Sequence, residues 1–217
     1  MDPNPLTVPR PVDKRLASRC HQFTLMMVAM LREQGIPARA RCGFAAYFNP
    51  PRFEDHWACE YWRADERRWI LADAQLDEVW RTKLGIGFDN FDVPRGQFLT
   101  APQAWDQCRR GAADPALFGI SFAQLYGLWF IAGNLLRDLA ALNAVEMLRW
   151  DVWGAQPQPD QHLDAEQVAF FDSIAAMTRY PGAAFEKIRS RYQSDERVRV
   201  PATVFNALRN RSEQLAR

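Results

Sequence analysis

The spacing of apolar residues predicts a helix near residues 18–34. Apolar side chains recur there at the i, i+3, i+4, i+7 and i+8 positions of one buried helical face. These residues are Phe23, Met26, Met27, Met30 and Leu31, and the flanking Leu25, Val28 and Ala29 extend the apolar surface. Ser18 fits the N-cap, and Gly35 followed by Pro37 fits the end of the helix. We therefore expect a central, nearly enclosed helix.

After this helix the apolar residues change to the alternating spacing of a strand. Residues 38–48 alternate between small or apolar side chains and arginine, which predicts a strand interrupted by Gly43. Residues 56–63 and 67–74 are rich in aromatic and apolar residues and flank a polar turn, which predicts a hairpin.

The register of this hairpin decides which side chains meet. A turn centred between Ala64 and Asp65 places His56 opposite Asp73. Directly opposed residues have Cβ atoms about 5 Å apart, whereas a slip of one residue moves them to opposite faces. We expect an imidazole–carboxylate hydrogen bond in this register.

Beyond residue 97 the apolar residues recur at a helical spacing. A short helix is predicted between Pro102 and Gly111, and a long apolar helix from Ser121 to about Leu148, bent or divided at Gly127 or Gly133. Further helices are predicted from Asp164, at 182–193, and from Pro201 to the end of the chain. Prolines within residues 1–13 predict an extended N-terminal arm.

Composition narrows the class of protein. The 217 residues are 48% hydrophobic and 24% charged with a net charge of +1, which is typical of a globular protein. This balance favours neither nucleic acid nor an anionic membrane as a partner. The four cysteines form no Cys-x-x-Cys pair, and the first residues lack the apolar run of a secretory signal. We expect free thiols and a cytoplasmic location; the composition predicts no oligomeric state.

Cys20 is the first candidate for chemistry. It falls in the first turn of the predicted helix, where roughly half a positive charge and free N–H groups favour thiolate over thiol. With His56 as base and Asp73 to orient the imidazole, Cys20 would complete a nucleophilic triad. The alternative for each residue is structural: a small buried cysteine, a hydrogen-bonded core histidine and a carboxylate at a strand end.

The order of these motifs resembles the transglutaminase-like superfamily of papain-type folds. The resemblance covers about residues 14–80 and depends on a helix-start cysteine, the run LREQGIPAR, the run HWACEY and the run WILADAQ. It implies an α+β fold, with Cys20 as nucleophile, His56 as base and Asp73 as the orienting carboxylate. Ser18 stands where the family often has glycine, and the usual His-Ala-Trp order reads His56-Trp57-Ala58.

The resemblance and the change of period near residue 97 together predict a transglutaminase-like catalytic core with an extended N-terminal arm over residues 1–96, and a mainly helical extension packed on it over residues 97–217. The expected function is cysteine-dependent acyl transfer or amide hydrolysis through an acyl-enzyme, with an amide, ester or thioester as the acyl donor. No cofactor and no metal are expected. Trp57, Asn134 and Arg137 are candidate substrate contacts, with Arg137 holding an anionic group.

Three alternatives stay open. Asn134, Arg137 and Asp138 are more simply interpreted as a buried hydrogen-bond network against Asp151 or the sheet. A zinc site has enough ligand types but lacks the close spacing of zinc fingers and ribbons. Its candidate ligands are Cys20, His21, Cys42, His56 and Cys59. A non-catalytic binding protein that keeps the same fold is the third alternative.

Overall fold

The computed structural model describes residues 4, 5, 7–15 and 17–215. Within this part of the chain the α-helices are α1 (Cys20–Glu33), α2 (Glu78–Leu84), α3 (Ala101–Arg109), α4 (Leu128–Ala141), α5 (Ala165–Thr178) and α6 (Phe185–Ser194). The strands of the larger sheet are β1 (Ala38–Asn49), β2 (Arg52–Arg63), β3 (Arg68–Ala72), β4 (Phe98–Thr100), β5 (Phe118–Ile120) and β6 (Leu125–Tyr126). The strands of the smaller sheet are β7 (Asp151–Val152), β8 (Thr203–Asn206) and β9 (Arg211–Gln214).

The larger sheet is built on the long hairpin β1–β2. Its order is β4-β1-β2-β5-β6, with β3 also paired to β2, and only the β2–β5 pair among these is parallel. Strand β1 continues through Gly43, so the predicted interruption there is wrong. A Cβ at Gly43 would overlap the backbone of Leu99, and glycine is therefore what lets β4 lie against β1. The α+β class is confirmed.

The register predicted for the β2–β3 hairpin is wrong by two residues. Glu60 lies opposite Leu71 and Arg63 opposite Arg68, because the turn contains four residues and ends at Arg67 with φ of 51°. A slip of two residues preserves the face that each side chain occupies. His56 and Asp73 therefore still lie on the same side of the sheet.

Helix α1 is less enclosed than its apolar pattern suggested. It packs on β1 and β2 through Cys20, Thr24 and Val28, whereas Met26 and Met30 are 46% and 57% exposed. The sheet covers only one side of the helix, so the prediction of a central helix is wrong for α1. Helix α4 is the enclosed one, since every residue from 130 to 141 is buried.

Helix α1 begins and ends close to the predicted positions, but its N-cap is a different residue. The N-cap is Arg19 and not Ser18, and the side chain of Gln22 accepts a hydrogen bond from the Arg19 backbone N–H. Gly35 has φ of 74° and ends the helix in the left-handed conformation, as expected. Cys20 is thus the first helical residue.

The C-terminal part is less helical than predicted. Helix α3 with Pro102 in its first turn is confirmed, as is the cap of α5, where the Asp164 carboxylate accepts from the Gln167 backbone N–H. The long apolar run becomes helical only after Gly127, whose φ is 118°, and Gly133 lies inside α4.

The helix predicted from Pro201 is wrong, because the chain there forms the β8–β9 hairpin. The alternation of exposed Thr203, buried Val204, exposed Phe205 and buried Asn206 is the pattern of a strand. Ala216 and Arg217 lie outside the described residues, as do residues 1–3 and Leu6 of the predicted arm. The described part of that arm contains one short 3₁₀ helix, Val12–Lys14. Among the described helices, none has the length and hydropathy needed to cross a bilayer.

Candidate active site

Cys20 stands where α1 meets the larger sheet. Only 4% of the residue is exposed, yet it contributes to the wall of a cavity of about 530 Å³. Its position at the start of α1 gives the sulfur the positive end of the helix dipole. The thiol is therefore held by the core while it faces open space.

His56 and Asp73 meet beside this cysteine. His56 Nε2 lies 2.7 Å from Asp73 Oδ2, and both residues are at most 2% exposed. Strand β2 places the imidazole in the cavity wall, and Asp73 immediately follows β3. Because Nε2 is bonded to the carboxylate, Nδ1 is the ring nitrogen available to the thiol.

The charges of Asp73, His56 and Cys20 shift the pKa values of their neighbours in the site. Burial alone would lower the pKa of His56, but Asp73 and Cys20 raise it to about 10. Burial alone would raise the pKa of Cys20, but the charge of His56, a hydrogen bond from it and the charge of Arg149 bring that pKa below its ordinary value. The arrangement therefore favours a thiolate–imidazolium pair.

Asp73 is itself firmly held. Its Oδ2 accepts a hydrogen bond of 2.5 Å from the Tyr47 hydroxyl, and its Oδ1 accepts one from the Gln75 backbone N–H. Burial would raise the pKa of Asp73, but His56 and these donors lower it. The carboxylate stays charged and fixes the orientation of the imidazole.

Arg149 completes the site from a distant part of the chain. Its Nη2 lies 3.5 Å from Cys20 Sγ, and its Nη1 lies 3.3 Å from Asp55 Oδ2. No local pattern marked Arg149, since it lies between α4 and β7 and is 129 residues from Cys20. Tyr47 was also missed, because the alternation of β1 identified its strand and gave no indication of its partner.

The predicted substrate contacts do not reach the cavity that Cys20 lines. Trp57 is 1% exposed and packs edge-on against His21 in the core beneath α1. Asn134 donates to Asp55 Oδ1 at 2.8 Å, and Arg137 donates to Asn134 Oδ1 at 3.0 Å. The cavity is lined instead by Arg19, Phe48, Gln75, Trp80 and Phe122 beside Cys20 and His56.

The buried polar residues of α4 form a structural hydrogen-bond network, which was one of the alternatives predicted for them. Asn134 bonds to Asp55 of β2, and Asp138 bonds to Arg41 of β1. The partners are thus in the sheet; Asp151 accepts instead from the Leu148 backbone N–H.

The remaining cysteines differ chemically from Cys20. Burial raises the pKa of Cys42 well above the ordinary thiol value, and raises those of Cys59 and Cys108 to about 12. All four cysteines are free thiols. Within the described residues, no group of three or more His, Cys, Asp or Glu side chains is arranged to hold a metal ion.

Comparison with protein families agrees with this geometry. Residues 6–74 match the family model of the transglutaminase-like superfamily, a segment that contains Cys20, His56 and Asp73. Comparisons with curated proteins and with solved structures found no match. Residues 6–74 are thus similar to the transglutaminase-like superfamily.

Proposed function

We propose that this protein is a cysteine-dependent acyltransferase or amide hydrolase that works through an acyl-enzyme on Cys20. The observation that carries the proposal is geometric: Asp73 holds the His56 imidazole at 2.7 Å beside Cys20, and that imidazole helps to lower the pKa of the Cys20 thiol. Cys20 combines this lowered pKa with a place in a cavity wall, which are the two requirements of an attacking thiolate.

The chemistry follows from these positions. The Cys20 thiolate attacks the carbonyl carbon of an amide, ester or thioester and forms a C–S bond. The His56 imidazolium then protonates the leaving amine, alcohol or thiol as its bond to the acyl carbon breaks. Water or an amine next attacks the thioester while His56 takes its proton, and the thiolate leaves.

The developing oxyanion needs donors beside the sulfur. The backbone N–H of Cys20 is one candidate, because the first N–H groups of a helix have no partner within the helix. We propose the guanidinium of Arg149 as the second, since it already lies 3.5 Å from Sγ. The apolar cavity residues Phe48, Trp80 and Phe122 would contact the body of the acyl donor.

The fold proposal is that α1, β1, β2 and β3 form a papain-like catalytic core within residues 1–96. This assignment is supported because α1 packs against antiparallel strands, His56 lies in β2, and Asp73 immediately follows β3. Residues 97–217 would be an extension that supplies Arg149 to the site. We also propose a cytoplasmic location, because a thiolate nucleophile and free thiols suit a reducing compartment.

The test is intact-mass analysis after incubation with a panel of amides, esters and thioesters. Wild-type protein is expected to gain the mass of the acyl group. Peptide mapping is expected to place that group on Cys20, and Cys20→Ala is expected to gain none. His56→Ala should form the adduct about 100-fold more slowly or worse.

A non-catalytic binding protein predicts a different result. Alkylation of Cys20 by iodoacetamide near neutral pH would then be slow and equal in wild type and His56→Ala. Cys108→Ala is the matched control, because it removes a half-buried thiol outside the site and should change neither the adduct nor the alkylation rate.

A further inference from the structure

A second cavity, of about 450 Å³, lies beside the first. Its wall is mainly apolar, and it is built from the start of α4, the segment around β7 and the β8–β9 hairpin. The apolar side chains that line it include Leu125, Trp129, Trp150, Val152, Phe205 and Leu208. Arg149 contributes to both cavities. The size and apolar character are those of a small-molecule pocket.

This cavity has a buried cation in its wall. Arg137 is 5% exposed, and its guanidinium donates to Asn134 Oδ1 at 3.0 Å, to Arg149 O at 2.8 Å and to Gln156 Oε1 at 2.9 Å. All three acceptors are neutral. In the part of the chain that the structure describes, no carboxylate makes an ion pair with Arg137.

The charge of Arg137 is therefore poorly compensated for a buried group. Asp55 and Asp151 act on it only at a distance, and the net effect of burial is to lower its pKa. An isolated buried charge is costly, and a directly contacting anion would offset much of that cost.

Two N–H donors in the wall also need acceptors. Arg137 Nε and Trp129 Nε1 are both buried and have no hydrogen-bond partner among the described residues. Gly133 leaves room for this guanidinium, since a Cβ there would stand only 3.0 Å from Arg137 Nη1. Buried N–H groups usually have acceptors, so the unpaired donors point to a ligand oxygen.

We propose that this cavity binds an apolar monocarboxylate, with its carboxylate at Arg137 and Trp129 Nε1 and its hydrocarbon part against Trp150, Phe205 and Leu208. A carboxylate supplies two oxygens to two single N–H donors and one negative charge to one guanidinium. The apolar wall accommodates the hydrocarbon part of the ligand. This binding is independent of the acyl chemistry proposed for Cys20.

The experiment measures octanoate binding by calorimetry and by the change in tryptophan fluorescence, to which Trp129 and Trp150 contribute. The Cys20→Ala protein is used, so that no acyl chemistry contributes. Octanoate is expected to bind at least about 10-fold more tightly than octan-1-ol, because only the acid makes charged hydrogen bonds. Arg137→Gln should remove most of this difference.

A matched pair at the rim keeps the test valid even if Arg137→Gln fails to fold. Leu208 is 67% exposed, and Leu208→Asp and Leu208→Asn differ in charge at nearly the same size. Leu208→Asp should weaken octanoate binding about 3-fold or more relative to Leu208→Asn, with octanol unaffected. Equal binding of octanoate by the two variants, equal affinity for octanoate and octanol, or no binding at millimolar octanoate would each overturn the proposal.

Discussion

Strand β2 carries two buried charged clusters that are four residues apart and on the same face. Around Glu60, the carboxylate pairs with Arg39 at 2.8 Å and with Arg41 and Arg95 at 2.9 Å. Arg41 also forms a bidentate pair with Asp138, with both contacts at 2.9 Å. Every charged group named here therefore has a partner of opposite charge within the protein.

Around His56, in contrast, one end of the network of contacts reaches a cavity. Asp73 bonds to His56, and His56 interacts with the Cys20 sulfur, which faces a cavity. The last member of this cluster is thus a thiol in a cavity wall, where it can meet a ligand. The difference teaches that buried charge alone does not identify a site; what identifies it is a reactive atom left accessible at the end of the network.

The largest expected effect is on stability, from breaking the Glu60 cluster. Asp138→Ala removes both acceptors of the Arg41 pair and the acceptor of the Cys42 backbone N–H. Arg41 would keep Glu60 as a partner but lose its bidentate one, and breaking this buried pair should cost about 3–5 kcal/mol of unfolding free energy, measured by urea denaturation. The alkylation rate of Cys20 in the folded protein should stay within about 2-fold of wild type, because this network does not reach the sulfur.

Arg95→Ala is the control for that prediction. Arg95 pairs with the same Glu60, but its side chain is 49% exposed. Its loss should cost at most about 1 kcal/mol, as for other solvent-exposed ion pairs. Equal losses for Asp138→Ala and Arg95→Ala would contradict the view that burial makes this network structural.

The next effect is on reactivity, from changing the His56 cluster. Asp73→Asn keeps the shape of the side chain and removes the charge that raises the pKa of His56. The imidazolium then supports the Cys20 thiolate less well, and alkylation by iodoacetamide at pH 7 should slow by about 10- to 100-fold. Asp77→Asn is the control, since it alters the N-cap carboxylate of α2 and leaves His56 untouched. A rate equal to wild type in Asp73→Asn would contradict the role given to Asp73.

The protonation of His56 provides a direct readout of the same cluster. Its pKa of about 10 lies above the ordinary imidazole value, so NMR should show its ring protons titrating near pH 10. Because the folded-state pKa is raised, the stability that this proton contributes is fully present below the ordinary imidazole pKa and is lost as the pH rises through about 10. In Cys20→Ala the midpoint should move down, and a wild-type midpoint near the ordinary value would refute the ion pair.

Local patterns predicted the parts of this site that depend on residues close together in the sequence. The apolar spacing placed Cys20 at a helix start, and the alternation of the hairpin placed His56 and Asp73 on one face. The register was wrong because the four-residue turn ends at a left-handed Arg67, a conformation that glycine or asparagine usually marks. Arg149 could not be predicted, because its contact with Cys20 depends on how residues beyond 97 pack onto the sheet.

The smallest expected effect distinguishes Arg149 from Arg19, an arginine that lines the same cavity. Arg149 touches Sγ and lowers the pKa of Cys20, so Arg149→Gln should slow alkylation at pH 7 by about 3- to 10-fold, less than the loss of the Asp73 charge. Arg19 lines the same cavity from an exposed position, and Arg19→Gln should change the rate by less than about 2-fold. Measuring both rates against pH distinguishes a change in thiolate population from a change in access, because only the former shifts the midpoint of the profile. Equal effects of the two substitutions would mean that the general charge of the cavity, and not contact with the sulfur, sets the reactivity of Cys20.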